Sequence, residues 1–234
     1  MIENLKKSET QLAISKIQHL EGINFKYKED NGSVYMFNFI GNTFKILFDP
    51  IPDKNIRERE KLNNLIRWNT EITIKIIHLR NTFIYLSAYL NRFKKSNLSK
   101  DQQHYRYFSE IISYYFISIR DNILQLINSY IDSPIKEEYK VSLEKLIKNL
   151  NDEEFLKIIN NFEYKTKRFR EEIRNGFTHK TNPFNHYYLT TIDNDDNLGI
   201  NYTNTIEDEE FYKELLCNLE HLSNYIDSLR EKMQ

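Results

Sequence analysis

The sequence predicts a mainly α fold, a helical bundle with long antiparallel helices. Apolar residues recur at steps of three and four over 62–93, again over 108–130 and again over 211–233, the spacing of a helix with one buried stripe. Two shorter stretches, 23–48 and 187–203, switch to an alternating pattern and predict small β additions. At 234 residues the chain is sized for one domain, 1–234, that buries a core without disulfides or metals.

Residues 3–21 make the first helix candidate, with Leu5, Leu12, Ile17 and Leu20 as its apolar positions and Gly22 just past its end. Ile23, Phe25 and Tyr27 then alternate with polar residues. Asp30-Asn31-Gly32 is a turn signal, and 34–40 and 43–48 flank Gly41-Asn42, giving a small antiparallel β-meander over 23–48. Its Tyr35, Phe37, Phe39, Phe44, Ile46 and Phe48 would cover one face of the bundle.

Pro50 and Pro52 break the chain before a long helix whose seam is Leu62, Leu65, Asn69, Ile72, Ile76, Leu79, Phe83, Leu86, Leu90 and Phe93. At 1.5 Å per residue it runs roughly 45 Å. Asn69 in such a seam either fixes register or marks a wet end of the interface. The next helix, from about 101 to 131, carries Phe108, Ile112, Tyr115, Ile119, Ile123, Leu126 and Tyr130, with Arg120 and Asp121 beside the apolar face; Ser133-Pro134 ends it. A shorter helix over 137–150 follows. Asp152 is placed to cap the one after it, which bears Phe155, Ile158, Ile159, Phe162, Phe169 and Ile173.

Asn182-Pro183 stops simple helix continuation. A β-hairpin insertion over 186–204 is expected next, its acidic loop 193–197 reading as a solvated turn because the regular Ca²⁺-loop spacing with a terminal Glu is missing. The last helix begins near Thr205, with Glu207, Asp208, Glu209 and Glu210 at its positive end. It carries Phe211, Leu215, Leu219, Leu222, Ile226, Leu229 and Met233, a seam for the bundle or for a partner chain.

Composition narrows the function classes. The net charge of -1 excludes a basic polyanion binder acting through the whole chain, so any nucleic-acid contact is local. The single cysteine, Cys217, excludes an intramolecular disulfide and fits a reducing, cytoplasmic setting. No Cys/His cluster has zinc-ligand spacing, and neither a metal nor a cofactor is expected. The chain lacks the run of about 18 apolar residues of a membrane span, and 1–7 lacks a signal-peptide core.

The one stretch in which residue types and spacing suggest chemistry is Arg174-Asn175-Gly176-Phe177-Thr178-His179. It gathers a permanent guanidinium, a carboxamide and an imidazole, groups suited to holding a phosphate and moving a proton beside it. With 6 His in the chain, Arg followed by His after four to six residues arises roughly once by chance. Requiring Asn directly after the Arg and four intervening residues lowers that to about 0.03. The approach is basic: Lys165, Lys167, Arg168, Arg170, Arg174 and Lys180 against Glu163, Glu171 and Glu172, the place where phosphate would be drawn most. On an ideal helix residues five apart lie about 140° apart, so Arg174 and His179 share no face. Gly176 and the Asn182-Pro183 stop suggest a helix end that turns His179 back; a second chain is the alternative.

The Arg174-Asn175-x-x-x-His179 run, late in a mostly helical domain, resembles the signature of the HEPN superfamily, and the helix around 114–122 is similar to the inner helix of some bacterial HEPN proteins. The resemblance covers roughly 55–233 and leaves the meander outside. It implies a HEPN-type helical bundle and a metal-independent endoribonuclease, often a toxin of a toxin-antitoxin pair or a phage-defence effector, working as a homodimer on RNA with a possible antitoxin or regulatory partner. Carried over, His179 is the general acid/base for attack of a ribose 2′-hydroxyl that leaves a 2′,3′-cyclic phosphate. Arg174 stabilises the phosphate's charge and Asn175 orients the imidazole or phosphate; the local positive charge, apart from the resemblance, assigns Lys165, Arg168, Arg170 and Lys180 to RNA binding, with Arg120 and Asp121 as supporting candidates. Thr181 stands where some family toxins have a modified Tyr. The alternatives are a non-catalytic HEPN module that binds RNA or nucleotide or assembles with a partner, and a helical scaffold in which Arg174 merely pairs with Glu171 or Glu172.

Overall fold

The computed structural model describes residues 5–23, 26–30, 33–37, 56–131, 134–136, 141–179, 183–184, 188–192, 198–202 and 206–233, with the backbone alone at 21–23, 26–30, 33–37, 56–59, 62, 66, 178–179, 188–192 and 198–202. Seven α-helices are described: α1 (Lys7–Lys16), α2 (Ile56–Ser96), α3 (Ser99–Tyr130), α4 (Leu143–Asn149), α5 (Glu153–Lys165), α6 (Asn175–His179) and α7 (Asp208–Lys232). Between α5 and α6 lies a π-helical turn, Phe169–Arg174.

The helical-bundle expectation holds, and the β part of the predicted fold class is overturned. Helix makes up 87% of the residues described with their side chains, and no strand occurs among those. Neither a β-meander over 23–48 nor a β-hairpin insertion over 186–204 therefore forms a layer of the packed body. The backbone at those places traces only isolated two-stranded ladders, β1 (Lys26–Asp30) with β2 (Ser33–Phe37) and β3 (Tyr188–Ile192) with β4 (Leu198–Tyr202). A ribbon of two strands is marginal without a face to pack on. Alternation records a local preference for extended backbone. The expected strand over 43–48 and the acidic loop 193–197 lie outside the described residues.

The long seams fold as their periodicity requires. In α2, Leu65, Asn69, Ile72, Ile76, Leu79, Phe83, Leu86 and Leu90 are all buried, and Phe93 is half-buried. Asn69 is only 6% exposed, which removes the wet-end reading; its Oδ1 meets no hydrogen-bond partner among the described residues. Asn97, at φ 54, closes α2 in the left-handed region that asparagine tolerates, and α3 folds straight back. Ring pairs give the antiparallel register. His78 stacks on Tyr115 at 5.4 Å, Tyr85 on Phe108 at 5.3 Å and Tyr89 against His104 at 4.7 Å, so each advance along α2 matches an equal retreat along α3.

Helix α3 buries two faces. Phe108, Ile112, Ile119, Ile123 and Leu126 are buried as expected, and so are Tyr105, Phe116, Leu124 and Ile127. That second face receives α5 and the π-turn through Phe116, whose ring lies 6.1 Å from Phe162 and 5.1 Å from Phe169. The remaining side is closed by α7, whose seven seam residues from Phe211 to Met233 are all buried. The buried carboxylate of Asp208 ties its start to α3 by accepting from Gln102 Nε2 at 2.6 Å and Arg106 Nε at 3.1 Å.

Helix α1 is shorter than the expected 3–21, the chain continuing as a 3₁₀ turn over Gln18–Ile23. Ile17 and Leu20 are buried as expected and Ala13 joins them, while Leu12 is 50% exposed. A bidentate pair pins it to α2: Arg92 donates to Glu9 through Nε at 2.7 Å and Nη2 at 2.8 Å. The side-chain bond from Arg92 lowers the Glu9 pKa from 4.5 to about 2. A depressed folded-state pKa contributes stability above the unfolded value and loses it as the group protonates. The protein is therefore expected to lose stability as pH falls from about 4.5 towards 2, with a shallower loss in Glu9→Gln; thermal melts across that range check it, and identical pH slopes would contradict it.

Candidate functional site

The segment that carries the motif starts at a well-made helix N-terminus. Asp152 Oδ1 accepts from the backbone N–H groups of Glu154 (3.0 Å) and Phe155 (3.1 Å), as the sequence predicts. Phe155, Ile159, Phe162, Phe169 and Ile173 are buried and hold the segment against α3 and α7. At Thr166 regular α-geometry ends. Its hydroxyl turns back to donate to the Phe162 carbonyl at 2.9 Å, and the wider π-turn begins three residues later. Such turns are rare and recur at functional sites.

Arg174 is the last residue of the π-turn, and its Nη1 donates to Asn175 Oδ1 at 3.0 Å. Both side chains are half-buried. Gly176 is buried inside α6 and does not break the helix. Its role is clearance: a Cβ there would lie 3.2 Å from Pro183 Cδ, where the chain returns over the motif. The return is itself anchored, because the Ile206 N–H donates to the Pro183 carbonyl at 2.9 Å. Gly176→Val is accordingly expected to cost about 1–3 kcal/mol through overpacking, while Gly176→Ala stays near neutral as helix propensity offsets the contact. A Val variant that melts at or above the wild type would show that Pro183 yields.

His179 closes α6; of this residue the backbone alone is described. Because the chain is helical from Arg174 to His179, the turn-back expected at Gly176 does not occur, and at 100° per residue the two positions project about 140° apart.

The basic approach is less positive than its local count. Arg168 meets Glu172 at 3.5 Å and, from α7, Glu210 at 2.6 Å and Glu214 at 3.6 Å. The Glu210 bond leads in raising its pKa. Lys167 pairs with Glu171 at 4.0 Å. Glu171 and Glu172, the carboxylates of the scaffold alternative, thus face Lys167 and Arg168. Lys165 is exposed, and Lys180 lies outside the described residues.

Arg170 and Arg120 belong to a buried network centred on Glu163. Arg120 donates to both Glu163 oxygens, at 2.8 and 3.0 Å, and to Asp121 Oδ1 at 2.6 Å. Arg170 Nη2 lies 2.9 Å from Glu163 Oε2 and also donates to the Glu163 carbonyl at 2.8 Å; its Nε donates to Thr166 Oγ1 at 3.2 Å. Burial opposes charge on Arg120, but Glu163 and Asp121 outweigh it and raise its pKa. Burial, reinforced by neighbouring Arg120, lowers that of Arg170. Glu163, which the sequence reading entered only as a countercharge, is the centre of the network. The available signal was its place on the apolar stripe, four residues after Ile159 and eight after Phe155, where a carboxylate needs a partner.

These features define a helical bundle with a helical Arg-Asn-x-x-x-His segment lodged against its core. No family model, curated protein or solved structure matches the chain. No helix among the described residues is long and apolar enough to cross a membrane.

Proposed function

We propose that the chain is a metal-independent endoribonuclease of HEPN type, with His179 as general acid/base, Arg174 as the phosphate clamp and Asn175 as the orienting amide. The observation that carries this reading is the 3.0 Å Arg174–Asn175 contact. It sets a guanidinium and a carboxamide side by side at the end of the π-turn, a pairing suited to presenting a fixed positive charge to a phosphate. The reaction is internal transesterification. The ribose 2′-oxygen attacks phosphorus, its proton passes to a base, and the 5′-oxygen of the next nucleotide leaves with a proton from an acid, giving a 2′,3′-cyclic phosphate and a free 5′-hydroxyl.

The angular separation of Arg174 and His179 favours a site completed by a second copy of the chain, or else the alternative of an RNA- or nucleotide-binding module without turnover. Incubating the purified protein with RNA in EDTA separates the readings. Cleavage ending in 2′,3′-cyclic phosphate supports the ribonuclease; salt-sensitive binding that Arg174→Ala weakens, with intact RNA at every protein concentration, supports the binding module. A toxin or phage-defence role in the cytoplasm, with a cognate inhibitor, belongs to the same proposal.

A further inference from the structure

We propose that Glu163 is a positioning residue for the Arg174–Asn175 pair, clamping Arg120 and Arg170 so that the π-turn cannot relax and rotate the motif; this rests on the ribonuclease reading for its consequence, but not for its structural content. Arg170 is a strut across the change from α- to π-geometry. Its three acceptors, Glu163 Oε2, the Glu163 carbonyl and Thr166 Oγ1, all precede the π-turn, whereas Arg170 itself lies within it. Arg120 bolts the strut to α3 through both Glu163 oxygens. One carboxylate thereby couples the core helix, the end of α5 and the π-turn.

A π-turn holds one more residue than an α-turn and survives only where its surroundings favour it. Relaxation to α-geometry would shift the phase of everything downstream by about 100°, one residue's rotation. Arg174 ends the turn and Asn175 follows it, so the shift would swing the pair together away from the side of the bundle it now occupies. Glu163 touches no substrate. It acts through Arg170.

The comparison that tests this pairs Glu163→Gln with Glu9→Gln. The Glu9–Arg92 pair is also bidentate and half-buried but sits between α1 and α2, far along the chain from the motif. Amide hydrogen exchange is measured on both variants and on Arg170→Lys, which keeps the charge but loses the planar fork. Exchange of amides 169–177 is expected to accelerate at least about tenfold in Glu163→Gln and Arg170→Lys and to stay unchanged in Glu9→Gln. RNA cleavage in EDTA is expected to fall in kcat with little change in KM for the first two variants alone. Uniform acceleration across all helices, or unaltered exchange at 169–177, overturns the positioning role. If the wild type cleaves no RNA, the ribonuclease reading fails while selective exchange at 169–177 still upholds the clamp.

Discussion

Phe211→Ala is expected to destabilise the protein by about 3–5 kcal/mol, the cost of removing a fully enclosed aromatic ring. Phe211 is 0% exposed and its ring is shared by four others: Tyr105 at 6.3 Å, Phe169 at 6.1 Å, Phe177 at 6.3 Å and Phe184 at 5.3 Å. These come from α3, the π-turn, α6 and the returning chain beside Pro183, so the cavity opens where the motif is held. Three of these neighbours also touch one another, Phe184 lying 6.1 Å from Tyr105 and 5.7 Å from Phe177, and Tyr105 is held by donating to the Asp208 carbonyl at 2.6 Å. Collapse around the vacancy is thus restricted, which puts the cost at the high end of what a cavity imposes. Against a total stability of about 5–15 kcal/mol this is a severe loss. Urea unfolding should show a lower midpoint at unchanged slope. Tyr164→Ala, at a ring 82% exposed, should change the unfolding free energy by no more than about 0.5 kcal/mol. Equal effects from the two substitutions would mean that Phe211 is not the hub its contacts describe.

Helices were readable from this sequence because burial on one side imposes a period on many residues at once. The seams of α2, α3 and α7 each repeat the signal over six or more positions, and the Asp152 cap is a local bond between neighbours in the chain. Leu12 misled for the opposite reason: in a ten-residue helix one leucine cannot outvote the geometry that places Ala13 and Ile17 inside. The aromatic alternation over 23–48 carried a backbone preference but no information about what would cover it. At the candidate site, the identity of Arg174, Asn175 and His179 was legible; the π-turn was not, since it depends on Arg120 reaching Glu163 from 43 residues away. The local charge count failed similarly, because Glu210 and Glu214 approach Arg168 from another helix. Gly176 reads in the sequence as a sign of a helix end, yet its reason, the passage of Pro183 across it, is tertiary.

His179→Ala is expected to reduce RNA cleavage in EDTA by about 10²–10⁴-fold, the usual contribution of a positioned acid/base, and Arg174→Ala by about 10²–10³-fold through lost charge stabilisation in the transition state. The two should differ in binding. Loss of the guanidinium removes a phosphate contact and lowers the salt dependence of RNA affinity by about one counterion, whereas loss of the imidazole leaves it unchanged. RNA with a 2′-deoxy sugar at the scissile position should bind and remain intact, because the proposed nucleophile is then missing. The roughly 140° between the two positions on one helix adds a sharper requirement. If Arg174 of one copy works with His179 of another, mixing the two inactive variants regenerates one complete site per mixed dimer, and activity returns to about a quarter of the wild-type level under random C2 pairing. If both groups act within one chain, every site in the mixture lacks one of them and no activity returns. Cleavage that persists in His179→Ala would end the acid/base assignment, whichever way the mixing experiment falls.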